Sequence, residues 1–235
     1  MSQSVSQPWV VDSDGIVSIS LRKMTVTLSL AISATLLVML YLSCNDGTGD
    51  YVCTVDRFPM ISDVVAQTMY DRIFLLMTAV FSFGVQQVNI RAYYRKLWGL
   101  IPAADNDRLF WIGLASLAAL PMVAVFDESW NGPHTFFALI VFICFSTYGR
   151  VLSNYLLAHK DAFSPADQRQ IELLNIQSWV MVTVTAAFLA AIHAWGSRGV
   201  TGILEWITVM LFFNFFCLAS VVNPFFDSIR KPSSS

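Results

Sequence analysis

The sequence predicts an all-α integral membrane protein, a bundle of six transmembrane helices forming a single membrane domain over residues 1–235, with both termini in the cytosol. Three observations carry that prediction: an apolar composition, six long runs that hold almost no charge, and an uneven distribution of Lys and Arg between them. Of the 235 residues, 56% are hydrophobic and 13% charged, with 18 Phe, 7 Trp and 7 Tyr. Soluble domains typically hold about 45–50% apolar and about 25% charged residues. The formal net charge of −2 leaves no cationic surplus to neutralise phosphates, so nucleic acid is not an expected partner.

A hydrocarbon core about 30 Å thick takes about 20 mostly apolar helical residues. Runs of that kind fall at residues 24–42, 69–90, 109–126, 135–157, 176–195 and 203–222. Asp71 and Arg72 open the second run, Gln86, Gln87 and Asn89 close it, and Pro121 interrupts the third. The first run is longer than the apolar part of a signal peptide and follows more than twenty polar and mixed residues, so it is expected to stay as a signal anchor. No motif marks a soluble domain, a repeat or a low-complexity tract.

Short loops retained in the cytosol collect Lys and Arg. Arg22 and Lys23 precede the first run, and Arg91, Arg95, Lys96 and Arg108 lie between the second and third. Lys160 and Arg169 separate the fourth and fifth, and Arg230 and Lys231 follow the sixth. Only Arg57, Arg72 and Arg198 fall on the other side. Residues 1–23 and the tail 225–235 are therefore expected in the cytosol, and the loop 43–68, with 127–134 and 196–202, on the luminal or extracellular side. Cys44 and Cys53 lie in that first luminal loop, where an oxidising compartment favours a disulfide over free thiols. Cys144 and Cys217 sit inside spans and read as small packing residues. In the N-terminal segment, Asp14-Gly15 between Val10-Val11 and Ile16-Val17 signals a β-hairpin, with a mobile tail as the other reading.

Charge at membrane depth is costly and marks candidate function. Asp71, Arg72, His134, His193 and Glu205 all fall near luminal helix ends, and Asp63 in the first luminal loop can join them. One reading is a polar-lipid head-group site: Arg72 and Asp63 contact the head group, and Glu205, His134, His193 or Asp71 serves as hydrogen-bond partner or general base. The other is a set of interfacial ion pairs, such as Glu205 with Arg72, that holds the helices together. No metal is expected, because His134 and His193 lack HxxxH or HxxE spacing. Nucleotide-binding, GxSxG, HExxH and CxxC motifs are absent, and no cofactor is called for; whether the protein is an enzyme stays open. Arg150 and Asn154 are one turn apart, with Arg150 expected to snorkel toward the cytosolic interface. Asn214 is expected to bond across helices, and Trp98, Trp111, Trp130, Trp179, Trp195 and Trp206 to form an interfacial belt.

Three short motifs, in this order along the chain, resemble the FRAG/DRAM/SFK family of six-span membrane proteins. They are Asp12-Ser13-Asp14-Gly15 before the first span, Phe58-Pro59-Met60-Ile61-Ser62-Asp63 in the first luminal loop, and Leu204-Glu205-Trp206 at the start of the sixth. The resemblance covers nearly the whole chain and makes Asp14, Pro59, Ser62 and Glu205 family-signature positions. The Asp-x-Asp-Gly stretch and Ile203-Leu204-Glu205-Trp206 look most like the branch of post-GPI attachment to proteins factor 2, whereas the luminal Phe-Pro motif and Trp206 are closer to the DRAM-like branch. The first likeness implies lipid remodelling of GPI anchors in the Golgi or ER, promoting reacylation of lyso-GPI. Its expected partners are membrane lipids, GPI-anchored proteins or GPI lipid, and a membrane-protein partner or enzyme. The second implies a non-enzymatic regulator of membrane lipid organisation or autophagy at the plasma membrane or lysosome.

Overall fold

The computed structural model describes residues 10–13, 16–45, 53–66, 68–126, 131–196, 199–222 and 225–230. Among these, six helices are long and apolar enough to cross a membrane. They begin with α1 (Leu21–Asn45), followed by a short α2 (Ile61–Val65). The second span is α3 (Thr68–Ala79) continued through a π-helical segment, Val80–Gln86, into α4 (Gln87–Leu97). The remaining four are α5 (Ala103–Val125), α6 (Asn131–Ala158), α7 (Pro165–Trp195) and α8 (Val200–Val222). Sequence neighbours pack together, α5 on α6, α6 on α7 and α7 on α8, and α1 closes the bundle against α8.

Polar residues that look like the end of the second span are part of its buried interior. The Asn89 amide donates to Thr25 Oγ1 on α1 at 2.9 Å and to Gln86 Oε1 at 2.8 Å, and both Gln86 and Asn89 are fully buried. These bonds tie the helix to α1, although Gln86 Nε2 and Asn89 Oδ1 have no partner among the described residues, and the helix runs on to Leu97, where Tyr93 donates its hydroxyl to the Ala219 carbonyl of α8. Pro121 does not break α5, which continues to Val125. The rest of the interior is aromatic. Phe81 meets Phe213 edge-on at 4.8 Å, Phe145 stacks on Phe212 at 4.9 Å, and Phe142 meets Phe188 at 4.8 Å.

Outside the spans the fold is not wholly helical. Strands β1 (Val10–Ser13), β2 (Ile16–Ser20) and β3 (Phe225–Arg230) form an antiparallel sheet in that order. Val10 pairs with Ile19 and Ser13 with Ile16, the register of the predicted hairpin, whose Asp14 and Gly15 lie outside the described residues. Part of the expected tail, residues 225–230, is the third strand, pairing Ile16 with Arg230 and Ser20 with Phe225. The bundle thus has a terminal end, carrying this sheet, and an opposite end. There Cys44 and Cys53 form a disulfide with a Cα separation of 5.6 Å.

That bond closes a short ring between the end of α1 and the segment leading to α2, so Cys44→Ser with Cys53→Ser should lower stability by roughly 2–3 kcal/mol through loop-closure entropy. Thermal unfolding in detergent checks the loss, and thiol alkylation mass before and after reduction checks the pairing.

Candidate functional site

At the disulfide end an extended segment, residues 58–60, lies across the first turns of α8. Backbone without secondary structure is expensive at membrane depth unless each polar group is satisfied internally. Here the sequence satisfies them one after another. The Phe58 carbonyl accepts from the Gly199 amide at 3.1 Å. Pro59 has no amide, and its carbonyl accepts from Trp206 Nε1 at 3.0 Å. The Met60 amide donates to Asp63 Oδ2 at 2.8 Å, and the Ile61 amide donates to Glu205 Oε2 at 2.7 Å.

Gly199, just before α8, and residues 202, 205 and 206 in its first two turns receive this segment at helical spacing. Gly199 turns the chain into α8 at φ +71°. At Gly202 a Cβ would sit 2.5 Å from the Phe58 carbonyl oxygen and 2.9 Å from that of Pro59, so only glycine admits the strand this close. Trp206, expected in the interfacial belt, is instead 6% exposed and serves as a donor in this junction. Trp98, Trp111, Trp179 and Trp195 are exposed, as belt residues are.

A cavity of about 410 Å³ opens beside this junction, bounded by α2, α6, α7 and α8. Ser62, His134, Thr135 and Glu205 supply its polar lining, and Phe142, Phe188 and Leu189 are among its apolar walls. An inner recess shares Ser62, His134, Ala138, Phe142 and Glu205 and ends on Phe74, Leu120, Val209 and Phe213. Leu139 and Ile192, on the cavity lining, are exposed on the outer surface of α6 and α7. The cavity therefore reaches from a polar rim to an apolar interior and to the lipid-facing side of the bundle.

His134 lies in the first turn of α6, where its Nδ1 is 2.7 Å from the Phe126 carbonyl and 3.2 Å from that of Val123. Both partners are acceptors only, so the tautomer that fits them carries its proton on Nδ1, and that tautomer presents Nε2 as an acceptor. The ring is thereby fixed by carbonyls at the C-terminal end of α5.

Of the candidate residues from sequence, Glu205, His134 and the signature Ser62 line one cavity. Asp71, Arg72, His193 and Asp63 do not line it. Arg72 and His193 are exposed, and Asp63 is buried as the cap of α2. Glu205 accepts from the Ile61 amide, so it has a structural task in this junction. Sequence reasoning missed Gly199 and Gly202, whose signal was the spacing of glycines ahead of Glu205, and Thr135. Asn214 bonds within its own helix, to the Met210 carbonyl at 2.8 Å, rather than across helices. Arg150 is engaged between helices instead of snorkelling free.

These features define a six-span integral membrane protein with an amphiphile-shaped cavity near one membrane face. The chain belongs to the Frag1/DRAM/Sfk1 family: the family model described as the Frag1/DRAM/Sfk1/Cwh43P N-terminal domain matches residues 22–221, from the start of α1 to the end of α8. No curated protein matches the chain, and no solved structure does.

The junction predicts its own sensitivity. Gly202→Ala should cost about 1–3 kcal/mol, because the new methyl meets backbone rather than a movable side chain. It should also speed hydrogen exchange of the Ile61 amide, whereas Gly132→Ala, where nothing lies within 4 Å, should change neither. Equal exchange in the two variants would remove the junction from the account.

Proposed function

We propose that the protein holds a lipid in the cavity at the disulfide end and, by presenting it, promotes reacylation of lyso-GPI, which keeps GPI-anchored proteins on the cell surface. The observation that carries the lipid half of this reading is one cavity whose rim is Ser62, His134 and Glu205 and whose interior is Phe142, Val209 and Phe213. A polar head at the rim with an acyl chain inside or along α6 and α7 matches that division. The GPI half rests on family membership and on the likeness of the Asp-x-Asp-Gly and Ile-Leu-Glu-aromatic segments.

The Lys and Arg distribution supports cytosolic termini, which in this reading opens the cavity to the luminal leaflet of a Golgi or ER membrane. The Cys44–Cys53 bond supports this orientation, since disulfides persist in oxidising compartments. A lysolipid differs from its mature form by one free hydroxyl. With its Nδ1 proton committed to α5, His134 offers Nε2 to accept that hydroxyl's hydrogen, an interaction a fully acylated lipid cannot make. A site built around such a bond discriminates strongly against the analogue that lacks it.

In cells lacking the protein, re-expression of the wild type should restore surface level and mature anchor lipid of a GPI-anchored reporter. His134→Ala should restore neither at normal protein level, and Ala138→Phe, which places a ring in both parts of the cavity, should behave the same. An anchor unchanged by loss of the protein would sink the GPI half and favour a regulator of lipid organisation or autophagy at the plasma membrane or lysosome. Full restoration by both variants would sink the cavity assignment.

A further inference from the structure

Toward the terminal end, away from the cavity, α6 and α7 are joined by a cation. Arg150 Nη1 donates to Asn175 Oδ1 at 2.6 Å, to Ser178 Oγ at 3.0 Å and to Ser153 Oγ at 3.0 Å. Nη2 donates to Asn154 Oδ1, and the guanidinium lies 4.1 Å over the Trp179 ring. Among the described residues these partners are all neutral, so the network fixes the geometry of the charge and leaves the charge itself uncompensated. Ser153 Oγ and Ser178 Oγ lie 2.7 Å apart, and each is also within hydrogen-bond distance of a carbonyl of its own helix; with one hydroxyl donating to its carbonyl and the other to its neighbour, both oxygens accept from Arg150.

The depth of this cation fits a lipid phosphate. Arg150 lies eight residues before the end of α6 at Ala158, or about 12 Å along the axis. On α7 its partner Asn175 is the last residue before the apolar run 176–195 begins. The guanidinium thus stands at the edge of the apolar run on α7 and inside the run 135–157 on α6, within reach of the level occupied by lipid head groups. Its surroundings face lipid: Trp179 is 54% exposed, Ile176 and Val180 beside it are exposed, and Asn154 is exposed. Of the five guanidinium N–H groups, both on Nη1 and one on Nη2 are engaged in this network, which orients the fork and leaves the second Nη2 hydrogen and Nε–H for a phosphate arriving from the bilayer. An unpaired positive charge in a span is stabilised by an anion of just this kind.

We propose that Arg150, framed by Asn154, Asn175, Ser178 and Trp179, is a binding site for the phosphate of an anionic phospholipid in the leaflet at the terminal end. The lipid binds as a fixed ligand between α6 and α7, its phosphate on the guanidinium and its chains along Ile176 and Val180. This site is separate from the cavity and stands whether or not the GPI reading does.

The test uses the full-length protein in detergent and native mass spectrometry after exposure to phosphatidylcholine vesicles, to vesicles also containing phosphatidylserine, or to inorganic phosphate. The wild type should retain phosphatidylserine over phosphatidylcholine by about tenfold, because the choline ammonium offsets the phosphate charge whereas the serine head group leaves a net negative charge for the guanidinium. Arg150→Gln should lose that preference, and Arg150→Lys should keep part of it. Asn154→Asp supplies an internal carboxylate in place of the lipid; it should abolish the preference while thermal stability holds or rises, so the result does not depend on a weakened fold. No preference in the wild type, or the same preference in Asn154→Asp, overturns the proposal. Equal retention of inorganic phosphate overturns its lipid part.

Discussion

A backbone amide inside a bilayer has no water to turn to, and at the disulfide end this constraint decides how the chain is arranged. Residues 58–60 are extended rather than helical, so the amides of Met60 and Ile61 need partners from elsewhere. Two carboxylates provide them, Asp63 from the next turn and Glu205 from α8. Hydrogen bonds to charged acceptors are worth about 1.5–3 kcal/mol each, and leaving such donors buried and unmet costs a comparable amount. Once the segment is bound, Ser62 and α2 form one side of the cavity, Trp206 is drawn inward, and α8 takes up its place against α1 and α7. The Phe-Pro-Met-Ile-Ser-Asp and Leu-Glu-Trp motifs are thus two halves of one junction. Each is weak in the sequence because half of a junction carries little information alone.

Much of the architecture was legible because the bilayer simplifies the problem. Length and low charge located six helices, and the Asp-Gly pair located a hairpin, since these signals are local. What stayed hidden depended on partners distant in sequence. The third strand, Phe225–Arg230, looks like tail because a strand edge is specified by the β2 it pairs with. Gln86 and Asn89 look like the end of a span because their amide groups read as surface until Thr25 of α1 is seen opposite. The π-helical segment beside them has no sequence marker that hydropathy detects.

The site divided in the same way. Position along the helices gathered Asp71, Arg72, His134, His193 and Glu205 into one layer, but a layer is not a face. Rotation about each helix axis separates them: His134 and Glu205 turn inward, while Arg72 and His193 turn out. A 3.6-residue period determines that rotation only when the partner helix is known. Arg150 illustrates the converse. Its spacing to Asn154 was visible, yet the restraint on it comes from Asn175 and Ser178, 25 and 28 residues away on α7.

The junction also constrains what chemistry the cavity can support. Glu205 faces the cavity and holds the Ile61 amide with one oxygen, so any use of its carboxylate for binding or proton transfer competes with the bond that positions Ser62 and the cavity wall. His134 has no such conflict. Its anchors are two backbone carbonyls at the end of α5, which hold Nδ1–H without titrating, and they leave Nε2 uncommitted by the same interaction that orients the ring. On the proposed reading the histidine is therefore the group that meets the lipid, and the carboxylate the group that keeps the site in shape. A lipid entering from the side of α6 and α7 would encounter His134 with its polar head while its chain stays among Phe142 and Phe188. Binding there need not disturb the junction, which is why the cavity and its supporting fold can be separated by mutation.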